Sequence, residues 1–211
     1  DGRSDQVISY ENVFPADAMV TWEQTGHFRI NQYLTLHSSI FRTQLLHDCG
    51  VVLPKHTFYE DNLYAYAPLC LTKTICYMDE NLYRYLIGRE GQSVSEESMR
   101  KNYRHQILVA KMFFDAADVP AIRKENPKLG RYLHHELTLM LAIAAAFARV
   151  CGTKQAEQDI QEMWAYIKKT GYYGRRLRYA SVAGAAAIPG RVGRKGCVAG
   201  YRLAHKVVKF N

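Results

Sequence analysis

A chain of 211 residues with 48% hydrophobic side chains carries enough apolar mass for a sizeable core, which excludes general disorder. Its five cysteines, Cys49, Cys70, Cys76, Cys151 and Cys197, are odd in number and scattered, without a Cys-x-x-Cys pair; this argues against a disulfide framework and a zinc site and points to a reducing cytoplasm. The net charge of +8 belongs to one end: residues 171–211 hold nine Lys or Arg and no Asp or Glu, while the first 170 residues carry 19 basic against 20 acidic groups.

The start, Asp1-Gly2-Arg3-Ser4-Asp5, lacks a basic end followed by an apolar stretch and reads as no secretory signal. Residues 1–16 have weak periodicity and suggest one strand. Trp22 to Ile30 suggests a short helix. Apolar residues at Leu34, Leu36, Ile40 and Phe41 give a strand-like pattern over 34–41. Thr43 is a candidate cap for a short helix with Leu45 and Leu46, stopped by Gly50. Pro54 marks a loop. Residues 61–71 are predicted to form a buried helix despite Pro68. Thr74 to Met78 and Leu82 to Ile87 read as two strands joined at Asp79-Glu80-Asn81.

From Ser95 the pattern turns helical. Ser95-Glu96-Glu97-Ser98 offers a cap and an acidic first turn for a helix to about Ala117. Pro127 opens a second long helix to about Val150, stopped by Gly152; a third runs from Ala156 to Lys169. Within the second, the apolar run Leu137–Ala148 falls short of the roughly 20 residues that span a bilayer and reads as buried. Arg191 to Phe210 is basic and amphipathic. The chain thus divides into residues 1–95, mixed in strand and helix, and residues 96–211, a helical region with a basic tail. The predicted class is α+β.

Glu60-Asp61 stands between a polar loop and a predicted helix. One reading is a helix cap or first-turn acid held by the dipole. The other is a general base that takes the proton of an attacking hydroxyl. The residues alone leave both open. The wider set is more specific: His37-Ser38-Ser39-Ile40-Phe41-Arg42-Thr43, then Leu53-Pro54-Lys55-His56-Thr57-Phe58-Tyr59-Glu60-Asp61-Asn62, then Pro68-Leu69, then Leu82 to Ser95 with Arg89 and Gln92. In order, spacing and residue type, over about residues 8–115, this resembles the second half of bacterial family-2 glycosyltransferases with the GT-A fold.

The resemblance implies an inverting transfer of sugar from a nucleotide-sugar donor to a sugar or lipid-linked acceptor, in cell-envelope polysaccharide or glycoconjugate synthesis. It makes Asp61 the base and Glu60, His37, Arg89 and Gln92 candidate substrate contacts; a planar Arg fork suits phosphate, while on residue type alone His37 equally suits a satisfied core histidine and Arg89 a solvated loop cation. Such enzymes hold Mg or Mn through an Asp-x-Asp motif. Neither that motif nor a Gly-rich phosphate loop occurs here. The expectation is therefore a portion that follows the nucleotide-binding half, inactive alone and without a metal of its own.

Tyr59, Tyr64, Tyr66, Tyr77, Tyr83 and Tyr85 crowd one stretch, either as a sugar-stacking platform or as packing. His134-His135-Glu136 lacks metal-ligand spacing and reads as a surface or helix-face feature. The tail, residues 171–211, suits an anionic membrane surface at the inner face of the membrane, or a solvated face. No helix-turn-helix, zinc finger or aromatic RNA-binding motif points to nucleic acid. The alternative to an enzyme is a non-catalytic basic helical module that docks to membrane or to a protein partner.

Overall fold

The computed structural model describes residues 7–30, 32–84 and 95–208, with side chains as far as residue 204. Arg89, Gln92, Tyr85 and residues 86–87 of the predicted second strand lie outside the described residues.

Of the strand predicted within 1–16, residues 1–6 lie outside the described residues and 7–15 carry a turn and no strand, their apolar side chains Tyr10, Val13 and Phe14 burying with Val20 in a small cluster of their own. Strand β1 follows at Met19–Thr21. The helix predicted from Trp22 is a single 3₁₀ turn, Trp22–Gln24, whose indole donates to the Thr72 carbonyl at 3.0 Å. The strand predicted over 34–41 is instead a 3₁₀ turn, Leu36–Ser38. Its reason is side-chain hydrogen bonding, one part local and one distant in sequence: the Ser38 hydroxyl meets the Thr35 amide and hydroxyl at 3.0 Å, and the Leu34 amide donates to the Tyr132 hydroxyl at 3.0 Å. Backbone groups satisfied by side chains have no need of a neighbouring strand.

Helix α1 covers Thr43–Asp48; Arg42 rather than Thr43 holds its N-cap position, without a side-chain cap bond, and Gly50 follows its end with φ of 64°. Helix α2 covers Glu60–Tyr66 and tightens into a 3₁₀ segment, Ala67–Leu71, around Pro68, which has no N–H to continue the α pattern. Strand β2, Thr74–Cys76, pairs antiparallel with β1, Val20 opposite Ile75, and a parallel bridge joins Ala16 to Tyr77. The predicted pairing of this strand with residues 82–87 does not form within 82–84, which carry no strand.

The remainder is helical: α3 Glu96–Ala116, α4 Val119–Glu125, α5 Pro127–Cys151, α6 Lys154–Lys168, α7 Tyr172–Tyr179, α8 Val182–Ala186 and α9 Gly190–Val208. Gly152, at φ 72°, ends α5 in the left-handed conformation that glycine adopts without strain. The fold is α+β, a small β region followed by a mainly helical part.

Helix α5 is the axle. It packs against α3, α4, α6, α8 and α9. By length and composition it could cross a bilayer, but 67% of its most apolar stretch is buried in protein contacts. One apolar cluster joins Leu133, Leu137 and Leu141 of α5 to Val109 and Phe113 of α3, and also to Trp22, Leu63, Tyr66 and Leu69 from the first part of the chain. Tyr66 of α2 stacks on Phe113 of α3 with ring centroids 4.2 Å apart. The two parts predicted on either side of residue 95 therefore share a core.

Candidate functional site

The loop that delivers Glu60-Asp61 is set by two residues in a costly conformation. His56 and Tyr59 have positive φ, 54° and 73°. Left-handed backbone costs a non-glycine residue about 1–3 kcal/mol and persists only where the surroundings hold it. Here they do. The Tyr59 ring packs edge-on against Phe147 of α5, centroids 5.5 Å apart. The Phe58 amide donates to His105 Nδ1 on α3 at 3.2 Å, and the two rings stack. Asn62 closes the turn, its side-chain amide donating to the Tyr59 carbonyl at 3.1 Å and to Asp61 Oδ1 at 3.2 Å.

Tyr59 is the N-cap of α2 and its side chain makes no cap bond, so neither Glu60 nor Asp61 is the cap; both lie in the first helical turn. Asp61 is exposed at the surface yet crowded by protein. Loss of water around the carboxylate, reinforced by the charge of Glu60, raises its pKa; the backbone amides of Asn62 and Asp61 and the nearby His37 pull the other way. A carboxylate raised in this manner is a stronger base than one in free water.

The 3₁₀ turn that carries His37 packs on α2. His37 stacks on Tyr83 with centroids 4.9 Å apart. Crowding lowers its pKa and the charge of Asp61 opposes that. Tyr33 joins the same electrostatic neighbourhood: burial, then Glu136 and Asp61, push its hydroxyl up to about 12. The structure thus brings Asp61, Glu60 and His37 together and adds Tyr33 and Tyr83. Tyr33 carries no chemical signal of its own in the sequence: it sits just before the apolar pattern that begins at Leu34, and no motif includes it.

Behind this surface lies a buried acid. Glu136 on α5 is only 4% exposed. The Tyr132 hydroxyl donates to its Oε1, while Oε2 has no partner. Burial pushes its pKa up to about 8, which favours the neutral carboxyl. Of the surface or helix-face reading of His134-His135-Glu136, Glu136 takes the buried face of α5, while His134 and His135 are half-buried. The signal was present: Leu129, Leu133, Glu136, Met140 and Ala144 follow the helical three-four spacing of the buried face.

The tyrosines divide. Tyr66 is core, Tyr64 packs on Phe41, and Tyr77 packs on Tyr10 and Phe14. Tyr83 is the exposed one beside His37. A cavity of about 170 Å³ is lined by Trp22, Thr25, His27, Lys128, Arg131 and His135 among others, and Asp61 is not in its lining. Its Lys128 already donates to the Thr25 carbonyl. Among the described residues no group of three His, Cys, Asp or Glu side chains is placed to hold a metal ion. The chain has no match among family models, curated proteins or solved structures.

Proposed function

We propose that the surface around Asp61 is the acceptor side of an inverting glycosyl transfer, with Asp61 as general base. The observation that carries this reading is the seating of one carboxylate. Asp61 is solvent-accessible, crowded enough to be raised in pKa, and aimed by a strained loop that α3 and α5 hold in place. Solvent-facing acids in a first helical turn need none of this to serve the helix dipole.

In the proposed reaction the acceptor hydroxyl attacks the anomeric carbon of a nucleotide-sugar. Its proton passes to Asp61 as the new C–O bond forms, and the bond to the nucleoside diphosphate breaks. Attack opposite the leaving group inverts the anomeric centre. His37, with a lowered pKa, is largely neutral near pH 7 and suits a hydrogen bond to a sugar hydroxyl. The exposed Tyr83 ring beside it supplies a face for a sugar ring. Glu60 lies one position away on the same turn, within charge range of Asp61, and Arg89 and Gln92 are proposed as donor or acceptor contacts. The described residues offer no metal site, and no step of this proposal runs through a divalent ion.

The test is Asp61→Asn in the protein as the cell makes it, assayed for transfer of radiolabelled sugar from nucleotide-sugar donors to membrane-extracted and oligosaccharide acceptors. Removing a general base lowers turnover roughly 10²–10⁴-fold, with helical circular dichroism unchanged. Near-normal turnover overturns the assignment.

A further inference from the structure

Helix α9 has three distinct sides, and the fold settles which is which. Gly193, Cys197, Tyr201 and Ala204 recur at helical spacing and are all partly buried. Tyr201 packs edge-on against Phe147 of α5 at 6.1 Å and its hydroxyl reaches Met99 Sδ at 3.2 Å. That side faces the body. Arg191, Lys195 and Arg202, four and seven residues apart, form a second, exposed line. Val192, Ala199 and Leu203, seven and four residues apart, form a third line beside it, turned further from the body. Val192 is 86% exposed and Leu203 64%.

The basic line is poorly compensated. Arg202 pairs with Glu96 of α3 at 3.2 Å, while Arg191 and Lys195 make no ion pair among the described residues. Residues 171–211 contain no acidic residue at all. An ordinary solvated helix would alternate charges of both signs and keep large aliphatic side chains inward. Ile188, just before α9, and Val182 of α8 are exposed as well.

We propose that the outer side of α9 docks on an anionic lipid bilayer, with Val192 and Leu203 entering the headgroup–acyl boundary and Arg191, Lys195 and Arg202 lying among lipid phosphates. Charge complementarity selects an anionic surface. The aliphatic line selects a bilayer over nucleic acid, since phosphate backbones offer Val and Leu nothing to bury against. The inference rests on none of the chemistry proposed for Asp61.

Co-sedimentation of the full chain with vesicles tests it, using phosphatidylcholine alone and phosphatidylcholine mixed with phosphatidylglycerol. Binding is expected to the mixed vesicles and to weaken as salt rises. Val192→Ser with Leu203→Ser, and separately Arg191→Gln with Lys195→Gln, should each lower partitioning about tenfold or more. Both pairs are exposed, so circular dichroism should match the parent. Asp61→Asn should bind as the parent does, which separates this proposal from the catalytic one. No pelleting with anionic vesicles, or equal pelleting with neutral ones, overturns it. So does insensitivity to the Val192 and Leu203 changes, and so does tighter binding to duplex DNA or RNA than to vesicles.

Discussion

Helices before and after residues 85–94 begin in different ways. After them, Ser95, Asp118, Asn126, Thr153 and Ser181 each accept a backbone N–H with the side chain, closing the starts of α3, α4, α5, α6 and α8, while α7 starts at Gly171 without such a bond. Before them, α1 begins at Arg42 and α2 at Tyr59, neither with a side-chain cap bond. The helical part is specified locally, by caps and by periodicity. The first part is held by contacts distant in sequence: Trp22 to Thr72, Leu34 to Tyr132, Phe58 to His105, β1 to β2. The surface proposed for chemistry belongs to the second kind. An exposed acid on a short, uncapped helix is positioned only because α3 and α5 hold the loop before it.

The sharpest way to break this contrast is through the shared core. Leu63 of α2 is fully buried in the same cluster as Leu133 of α5. Leu63→Ala should cost about 2–5 kcal/mol. If the first part depends on the helical part, the loss appears as one cooperative transition, with near-ultraviolet and far-ultraviolet circular dichroism melting together. Two separate transitions, with helical melting unmoved, would show that the parts fold independently.

Glu136 gives the next effect, on the helical side of the contrast. Its pKa in the folded protein is raised from the usual 4.5 to about 8. The folded state therefore holds a proton that the unfolded chain releases. The stability this contributes is complete below about pH 4.5, falls as pH rises towards about 8, and is level beyond. The slope within that window is about 1.4 kcal/mol per pH unit. Glu136→Gln stays neutral and keeps an acceptor for Tyr132. Urea unfolding midpoints at pH 6 and pH 8 should fall with pH in the parent and stay flatter in the variant. Equal slopes in both would mean that Glu136 is ionised in the folded protein.

What could be read in advance follows the same division. The starts at Ser95 and Pro127, the stop at Gly152 and the amphipathic tail are signals within a few residues of each other, and the helices formed where they stand. The 34–41 stretch shows the opposite case. Its alternation suits a strand, but Thr35, Ser38 and Tyr132 satisfy the backbone, and nothing nearby in sequence announces Tyr132. Likewise β2 finds its partner 55 residues upstream at β1 rather than in the next segment. Asp61 was singled out in the sequence by the resemblance that the residues around it carry. Its crowding, the strained Tyr59 and the nearness of Tyr33 arise from the packing of α2 on α3 and α5, which no local pattern encodes.

The smallest expected effect isolates the local kind of specification. Thr153 accepts the Ala156 amide at 3.1 Å and opens α6. Thr153→Ala removes that acceptor and should cost about 1 kcal/mol, which is about 2–4 °C in melting temperature for a chain of this size. Arg42→Ala, at the start of α1, removes no cap bond and should leave the stability within about 0.5 kcal/mol of the parent, as an exposed substitution away from special contacts does. If the two variants melt alike, side-chain caps do not carry the difference between the parts. The C-terminal helices would then owe their boundaries to burial around α5 alone.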